Sequence, residues 1–231
     1  MLIRNDVLLY AGPSSRAVRL LWIDPGHTTT FTFALGVPGA WPVPTPLGLL
    51  EADVQNRRAR LLLADPYAAR PPATAPTLAQ LAAHDRARCV ILSLTTGNAA
   101  LFNAQERRRM VADAAAANDL SAATVHRYLR RYWEGGQNPD ALWPDEMATQ
   151  PGAKATARRR ARRGTVQAGP DVRSNFRMAV TRYASTHSAF SRRAAYRQML
   201  EDFYPERTID ALPTFGQFNY WIDKDAVLQT I

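Results

Sequence analysis

Cysteine is nearly missing from this 231-residue chain. Cys89 stands alone, which rules out an intrachain disulfide framework and fits a reducing cytoplasm. Lysine is almost as scarce: of 29 basic side chains, only Lys154 and Lys224 are lysine. No apolar run approaches the ~20 residues needed to span a bilayer. The opening Met1-Leu2-Ile3-Arg4-Asn5-Asp6 is interrupted by polar residues and does not read as a signal peptide. A membrane partner is therefore not expected. Enzyme signatures are lacking as well. His27, His84, His126 and His187 are widely spaced, with no metal-ligand partner at i+3 or i+4. There is no G-x-S-x-G, phosphate loop or paired-glycine fingerprint, and the acidic residues are scattered. Cys89 lies in an apolar stretch and reads as a core residue, not a nucleophile. The chain is expected to carry no active site, no metal and no cofactor.

What is present is arginine and enough apolar mass for a core. Hydrophobic residues make up 46% of the chain, the formal net charge is +9 and the pI about 10.3. Arginine makes planar, bidentate contacts with phosphate and guanine that lysine does not, so this balance points to nucleic acid. A GC-rich coding genome is the competing source of such a composition.

The fold class read from the pattern is α+β: a small N-terminal β-barrel-like domain, then two helix-turn-helix-like domains joined by a basic linker. Residues 1–70 form the β part. Val7–Tyr10, Ala17–Ile23 and Thr28–Leu35 read as strands, and Asp24-Pro25-Gly26 as a turn. Val37–Pro46 holds four prolines, which excludes a central strand or a helix. Arg60–Leu63 is a candidate fourth strand. Arg70-Pro71-Pro72 to Pro76 marks a boundary.

Residues 77–138 read as a first helical domain. It opens with one helix, or two joined near His84-Asp85. Asn103 with Glu106 three residues on is a capping-box-like start, and Met110, Val111 and Ala114 follow on one face. Ser121 can cap the next helix, with Val125, Leu129 and Tyr132 inward and Gly135-Gly136 as its stop. The short interval between these helices is the helix-turn-helix arrangement. The N-terminal part of its second helix faces base edges, which nominates Ser121, Ala122, Ala123, Thr124 and Arg127 for the bases. Arg130 and Arg131 fall nearer the phosphates. An ordinary amphipathic helix with a solvated arginine face is the competing reading.

Residues 139–169 read as a linker. Its block Lys154, Arg158, Arg159, Arg160, Arg162 and Arg163 contains no acidic residue. Six such cations on phosphates would give a salt slope of about −5, and an extended arginine-rich arm suits a narrow minor groove. Residues 170–231 form a third unit of three helices. Val172, Phe176, Val180 and Tyr183 lie on the first, Ala195, Met199 and Phe203 on the second. Thr214-Phe215-Gly216-Gln217 is a capping box that starts the third. There Thr214, Gln217, Asn219 and Tyr220 are candidates for DNA contact, while Phe215, Phe218 and Trp221 read as core.

Two stretches resemble a known family. Ala123 to Trp133 (ATVHRYLRRYW), with Gly136-Gln137-Asn138-Pro139-Asp140-Ala141-Leu142 and Pro144-Asp145, is similar to the N-terminal region of TnsB-type transposases. These belong to the DDE group that includes phage Mu transposase and retroviral integrases. Tyr204-Pro205 and Leu212 to Trp221 resemble the segment preceding that family's catalytic domain, and Asn5–Tyr10 is weakly similar to its start. The resemblance implies recognition of repeated sites at transposon ends by two helix-turn-helix-like modules. The reading role would fall on Ser121, Thr124 and Arg127, and on Thr214, Gln217 and Asn219. The family's RNase-H-like domain would begin after the matched region, so strand transfer is assigned to no residue here. The chain reads as a cut piece of a longer protein or a truncated gene product.

The expected function is thus sequence-specific binding of double-stranded DNA at transposon ends, in the bacterial cytoplasm and on the nucleoid. Further copies on DNA and other transposition proteins are the expected partners. The alternative is a helix-turn-helix transcription regulator, which requires a dimer and a palindromic site; no coiled-coil heptads are present. A third reading is a protein-interaction adaptor whose β part docks a partner, with binding that survives high salt.

Overall fold

The computed structural model describes residues 1–11, 15–96, 99–144, 170–205 and 212–225. These residues cluster into two compact bodies. The first takes in those of Ile3–Leu49 and Asp65–Ala155, the second those of Met1–Leu2, Leu50–Ala64 and Thr156–Ile231.

The first body opens with an antiparallel meander of β1 (Val7–Tyr10), β2 (Arg16–Ile23), β3 (Thr29–Leu35) and β4 (Val43–Pro46), neighbours in the order β4-β3-β2-β1. Asp24 closes the β2–β3 turn. Its carboxylate accepts the amides of Thr28 (2.7 Å) and Thr29 (2.6 Å), and the Thr29 bond is the main reason its pKa lies below the ordinary value. Leu8, Leu20, Leu21 and Phe33 fill the sheet's core, and a register shift between Leu20 and Trp22 bends β2. The sheet is open, not the barrel expected from sequence. β4 is an edge strand in which Pro44 and Pro46 have no N–H to give to a further neighbour.

The same body continues into helices. Thr77 and Gln80 form a capping box that starts α2 (Leu78–Thr95), one continuous helix through His84-Asp85. Cys89 lies on its exposed face, not in the core: the buried stripe runs through His84, Ala87, Val90, Ile91 and Leu94. A 3-10 turn at Ala99–Phe102 leads to α3 (Ala104–Ala117) and α4 (Ala122–Glu134). Residues 139–144 fold back onto these helices. Leu142 and Trp143 are buried, and the Trp143 ring stacks on His84 at 4.0 Å. No apolar run signals this, because two large side chains suffice.

In the second body, α1 (Leu47–Gln55) contributes its residues from Leu50 onward. This helix is not expected from the sequence, which assigns no element between Pro46 and Arg60. It buries Leu47, Leu50 and Val54 at helical spacing directly after Pro46. β5 (Ala59–Leu62) follows, then α5 (Pro170–Thr186), α6 (Arg192–Phe203) and α7 (Phe215–Lys224). The core comprises Leu63, Phe176, Val180, Ala195, Met199, Tyr204, Phe218 and Ile222. β5 and its flank are tied to α6: Gln198 donates to the Leu61 carbonyl (2.6 Å), and Asp202 accepts the Leu63 amide (2.9 Å) and pairs with Arg60.

Candidate nucleic-acid interface

α3 and α4 are joined by a short turn built from local chemistry. Asp119 takes a left-handed φ of 52°, tolerated by aspartate better than by most residues. The Leu120 amide reaches back to the Ala115 carbonyl (2.9 Å), the bond that ends a helix in a Schellman motif. Ser121 then caps α4, accepting the Thr124 amide at 3.1 Å, and its hydroxyl lies 3.0 Å from that of Thr124. Val125 and Leu129 are fully buried. The opposite side starts with exposed Ser121, Ala122 and Ala123 and continues to exposed Arg127.

The far end of α4 is fixed from the sheet. Gly136 (φ 84°) and the Gln137 amide on the Tyr132 carbonyl (2.7 Å) close the helix. Arg19, in β2 and fully buried, donates to the Glu134 carbonyl (2.9 Å) and to Asp65 (2.5 Å). A cation at a helix C-terminus also meets the negative end of the helix dipole. Gln137 donates to Asn5 (2.8 Å) and to the Leu21 carbonyl (2.7 Å). Trp133, fully buried, sits among Phe33, Trp41 and Phe102. The β part therefore holds α4 by its C-terminus and leaves the N-terminal turns open. Arg19 and the aromatic cluster are the supports of α4 that sequence reasoning missed; an arginine between apolar residues of a strand was the available signal.

The predicted site residues divide into groups. Ser121, Ala123, Thr124 and Arg127 come together on the open N-terminal turns of α4. Arg130 is half-buried, one turn beyond His126. Arg131 is spent within the protein, donating to the Trp143 carbonyl. Lys154, Arg158, Arg159, Arg160, Arg162 and Arg163 lie outside the described residues. In the second body, Thr214 and Gln217 are committed to each other as the capping box of α7, with the Thr214 amide on the Gln217 side chain (2.8 Å) and the Gln217 amide on the Thr214 hydroxyl (3.2 Å). Asn219 has a buried, unpartnered Oδ1. Tyr220 is 56% exposed. Phe218 is core as expected, while Phe215 and Trp221 are half-buried.

The charges around the two helices differ. On the second body Arg177 pairs with Asp225 (2.7 Å), Arg192 with Asp223 (2.8 Å), and Arg173 lies 3.6 Å over Trp221. On the first, Arg109 pairs with Glu106 (2.8 Å), but among the described residues no carboxylate pairs with Arg107, Arg108, Arg127 or Arg130. His126 lies edge-on to Trp41 (5.0 Å) with a buried, unpartnered Nδ1. Its pKa is held below the ordinary histidine value by burial first, then by Arg107, Arg130 and Arg108. No group of three His, Cys, Asp or Glu side chains among the described residues is arranged to hold a metal. No described helix is long and apolar enough to cross a membrane.

Residues 84–145, which include α3 and α4, match the TnsB second-domain family, and residues 169–230, which include α5 to α7, match the TnsB transposase helix-turn-helix domain. The chain carries the DNA-binding region of a TnsB-type transposase. A similar protein is the transposon Tn7 transposition protein TnsB of Escherichia coli, 26% identical over 141 residues. That match covers 54% of this chain and 20% of the relative. Sequence-specific DNA binding goes with this TnsB-type region, and the comparisons do not favour an operator-binding regulator.

Proposed function

We propose that this region recognises the end repeats of a transposon, with α4 in one major groove and α7 in another. The observation that carries the reading is the build of α4. Its C-terminus is locked by Arg19 and Trp133, while its N-terminal turns present Ala123, Thr124 and Arg127 outward. That is the presentation a reading helix requires. Ser121 and the free amides of the first turn favour a phosphate. Arg127 supplies the bidentate contact to a guanine edge.

The basic stretch containing Lys154, Arg158, Arg159, Arg160, Arg162 and Arg163 tracks backbone or minor groove between the two modules. Asn219 and Tyr220 serve the second head, with Thr214 and Gln217 setting its helix start. Further copies on adjacent repeats and other transposition proteins are the partners, in the bacterial cytoplasm. Strand transfer and its metal ions are assigned to no residue of this chain.

Footprinting on the terminal repeats of the encoding element should show two separated patches of protection. Arg127→Ala should cost about 1–3 kcal/mol on the repeat and relax preference at one base pair. Unchanged affinity and preference would remove α4 as the reading head.

A further inference from the structure

Among the described residues the first body buries two arginines, and only one of them pairs with a carboxylate. Arg19 is fully buried and meets Asp65 at 2.5 Å. Arg107, on α3, is 7% exposed. Its guanidinium donates to the carbonyls of Leu101 (3.1 Å) and Phe102 (3.2 Å) and lies 4.8 Å over the Trp41 ring. Both hydrogen bonds use Nη1, and among the described residues no carboxylate neutralises the charge. A buried charge without an opposite partner is costly to hold, so an anion arriving from outside is favoured there. The opposite edge of the arrangement is His126 on α4, against the same Trp41 ring.

Two more cations flank this junction. Arg108 follows Arg107 on α3 and is exposed. Arg130 is one helical turn past His126 on α4, a helix packed directly on α3. After burial, Arg107, Arg130 and Arg108 all lower the pKa of the His126 ring. Arg109, next in sequence, is neutralised by Glu106. Arg107, Arg108 and Arg130, around the Trp41–His126 contact, thus have no carboxylate partner among the described residues, as Arg127 has none, while Arg109 beside them does.

We propose that Arg108 and Arg130, backed by the buried charge of Arg107, form a backbone-phosphate site for duplex DNA beside α4, separate from the base-reading turn at Ser121. The site rests on the DNA-binding reading above and adds a second anchoring point from the helix before the reading helix. Arg108 and Arg130 contact phosphodiester oxygens. Arg107 does not reach the ligand; it raises the local potential.

The test measures the affinity of the full chain for a terminal-repeat duplex and for a scrambled duplex over a range of salt concentrations. Wild type is compared with Arg108→Ala, Arg130→Ala and Arg127→Ala, each first checked for an unchanged melting temperature. Arg108→Ala and Arg130→Ala are expected to lower the steepness of log K against log salt by about 1 each, and to weaken both duplexes by the same factor. Arg127→Ala should weaken the repeat duplex more than the scrambled one. Unchanged slopes in both Arg108→Ala and Arg130→Ala, or losses confined to the repeat duplex, overturn the phosphate site while the base-reading role stands. Equal wild-type affinity for the two duplexes, with the slopes still reduced, keeps the phosphate site and removes the recognition of end repeats. Absence of DNA binding by wild type removes both.

Discussion

α4 and α7 start with the same device and part ways in what surrounds it. Each has a hydroxyl N-cap, Ser121 or Thr214, that accepts the amide three residues on. In each, the fourth and eighth residues after the cap are buried: Val125 and Leu129 in α4, Phe218 and Ile222 in α7. The fifth carries a buried polar atom without a partner, in His126 and Asn219. The sixth is exposed, as Arg127 in one and Tyr220 in the other. Around α4 the neighbouring arginines are left positive. Around α7, Arg192 and Arg177 pair with Asp223 and Asp225 and Arg173 lies over Trp221, while Arg193 lies over Phe215. The same helical register therefore carries fewer ion pairs around α4 and more paired, more aromatic surroundings around α7.

The strongest way to break this comparison is to remove what holds each head. Trp133→Ala should cost the first body about 3–5 kcal/mol, since a fully buried indole at the centre of an aromatic cluster leaves a large cavity. Denaturant unfolding followed by circular dichroism checks it. Phe218→Ala should cost the second body a similar amount. If Trp133→Ala costs under 1 kcal/mol, α4 is not held as described.

Next comes Arg19→Met. It leaves Asp65 and the Glu134 carbonyl without their donor, and about 3 kcal/mol is expected. That is the lower end for a broken buried pair, because the Asp65 side chain keeps 25% exposure. Hydrogen exchange should show the last turn of α4 opening first.

A smaller change sharpens the contrast instead. Asp225→Asn should cost at most about 1 kcal/mol of stability, since the Arg177 side chain is 58% exposed. It should also steepen the salt dependence of DNA binding by about 1 if the released guanidinium meets a phosphate. An unchanged slope would mean that the neutrality of the α7 surroundings does not limit its backbone contacts.

The smallest expected effect is pH dependence. His126 is held below its ordinary pKa by burial and by Arg107, Arg130 and Arg108. Its proton therefore binds the unfolded chain more readily. The stability of the first body is complete above about pH 6.5, falls as the pH drops below that, and levels off once the folded-state pKa is passed. His187, also depressed by burial, acts with the same sign in the second body. Melting temperatures at pH 7.5 and 5.5 should differ less in His126→Gln than in wild type.

Legibility in the sequence follows the range of the forces involved. β1 to β3, the caps at Asn103, Ser121 and Thr214 and the stop at Gly135-Gly136 were readable because each is set within a few residues. α1 was hidden by the prolines before it. Cys89 was misread as core because its apolar neighbours belong to one helix stripe and its own side chain to another. Thr214 and Gln217 show two roles competing for the same atoms: the capping box visible in the sequence uses the groups also nominated for DNA. Arg131 shows the reverse, a surface-looking arginine taken up by the Trp143 carbonyl 12 residues away.

The order of residues alone determined the locally set caps, stops and strands, the arginine-rich charge and the likeness to a transposase DNA-binding region. Caps, periodicity and net charge are local or additive properties and need no partner from afar. Only the tertiary structure decided which arginines remain available. Whether a guanidinium meets Asp65, Asp225, a carbonyl or no carboxylate depends on segments brought together across many residues, which no local pattern encodes.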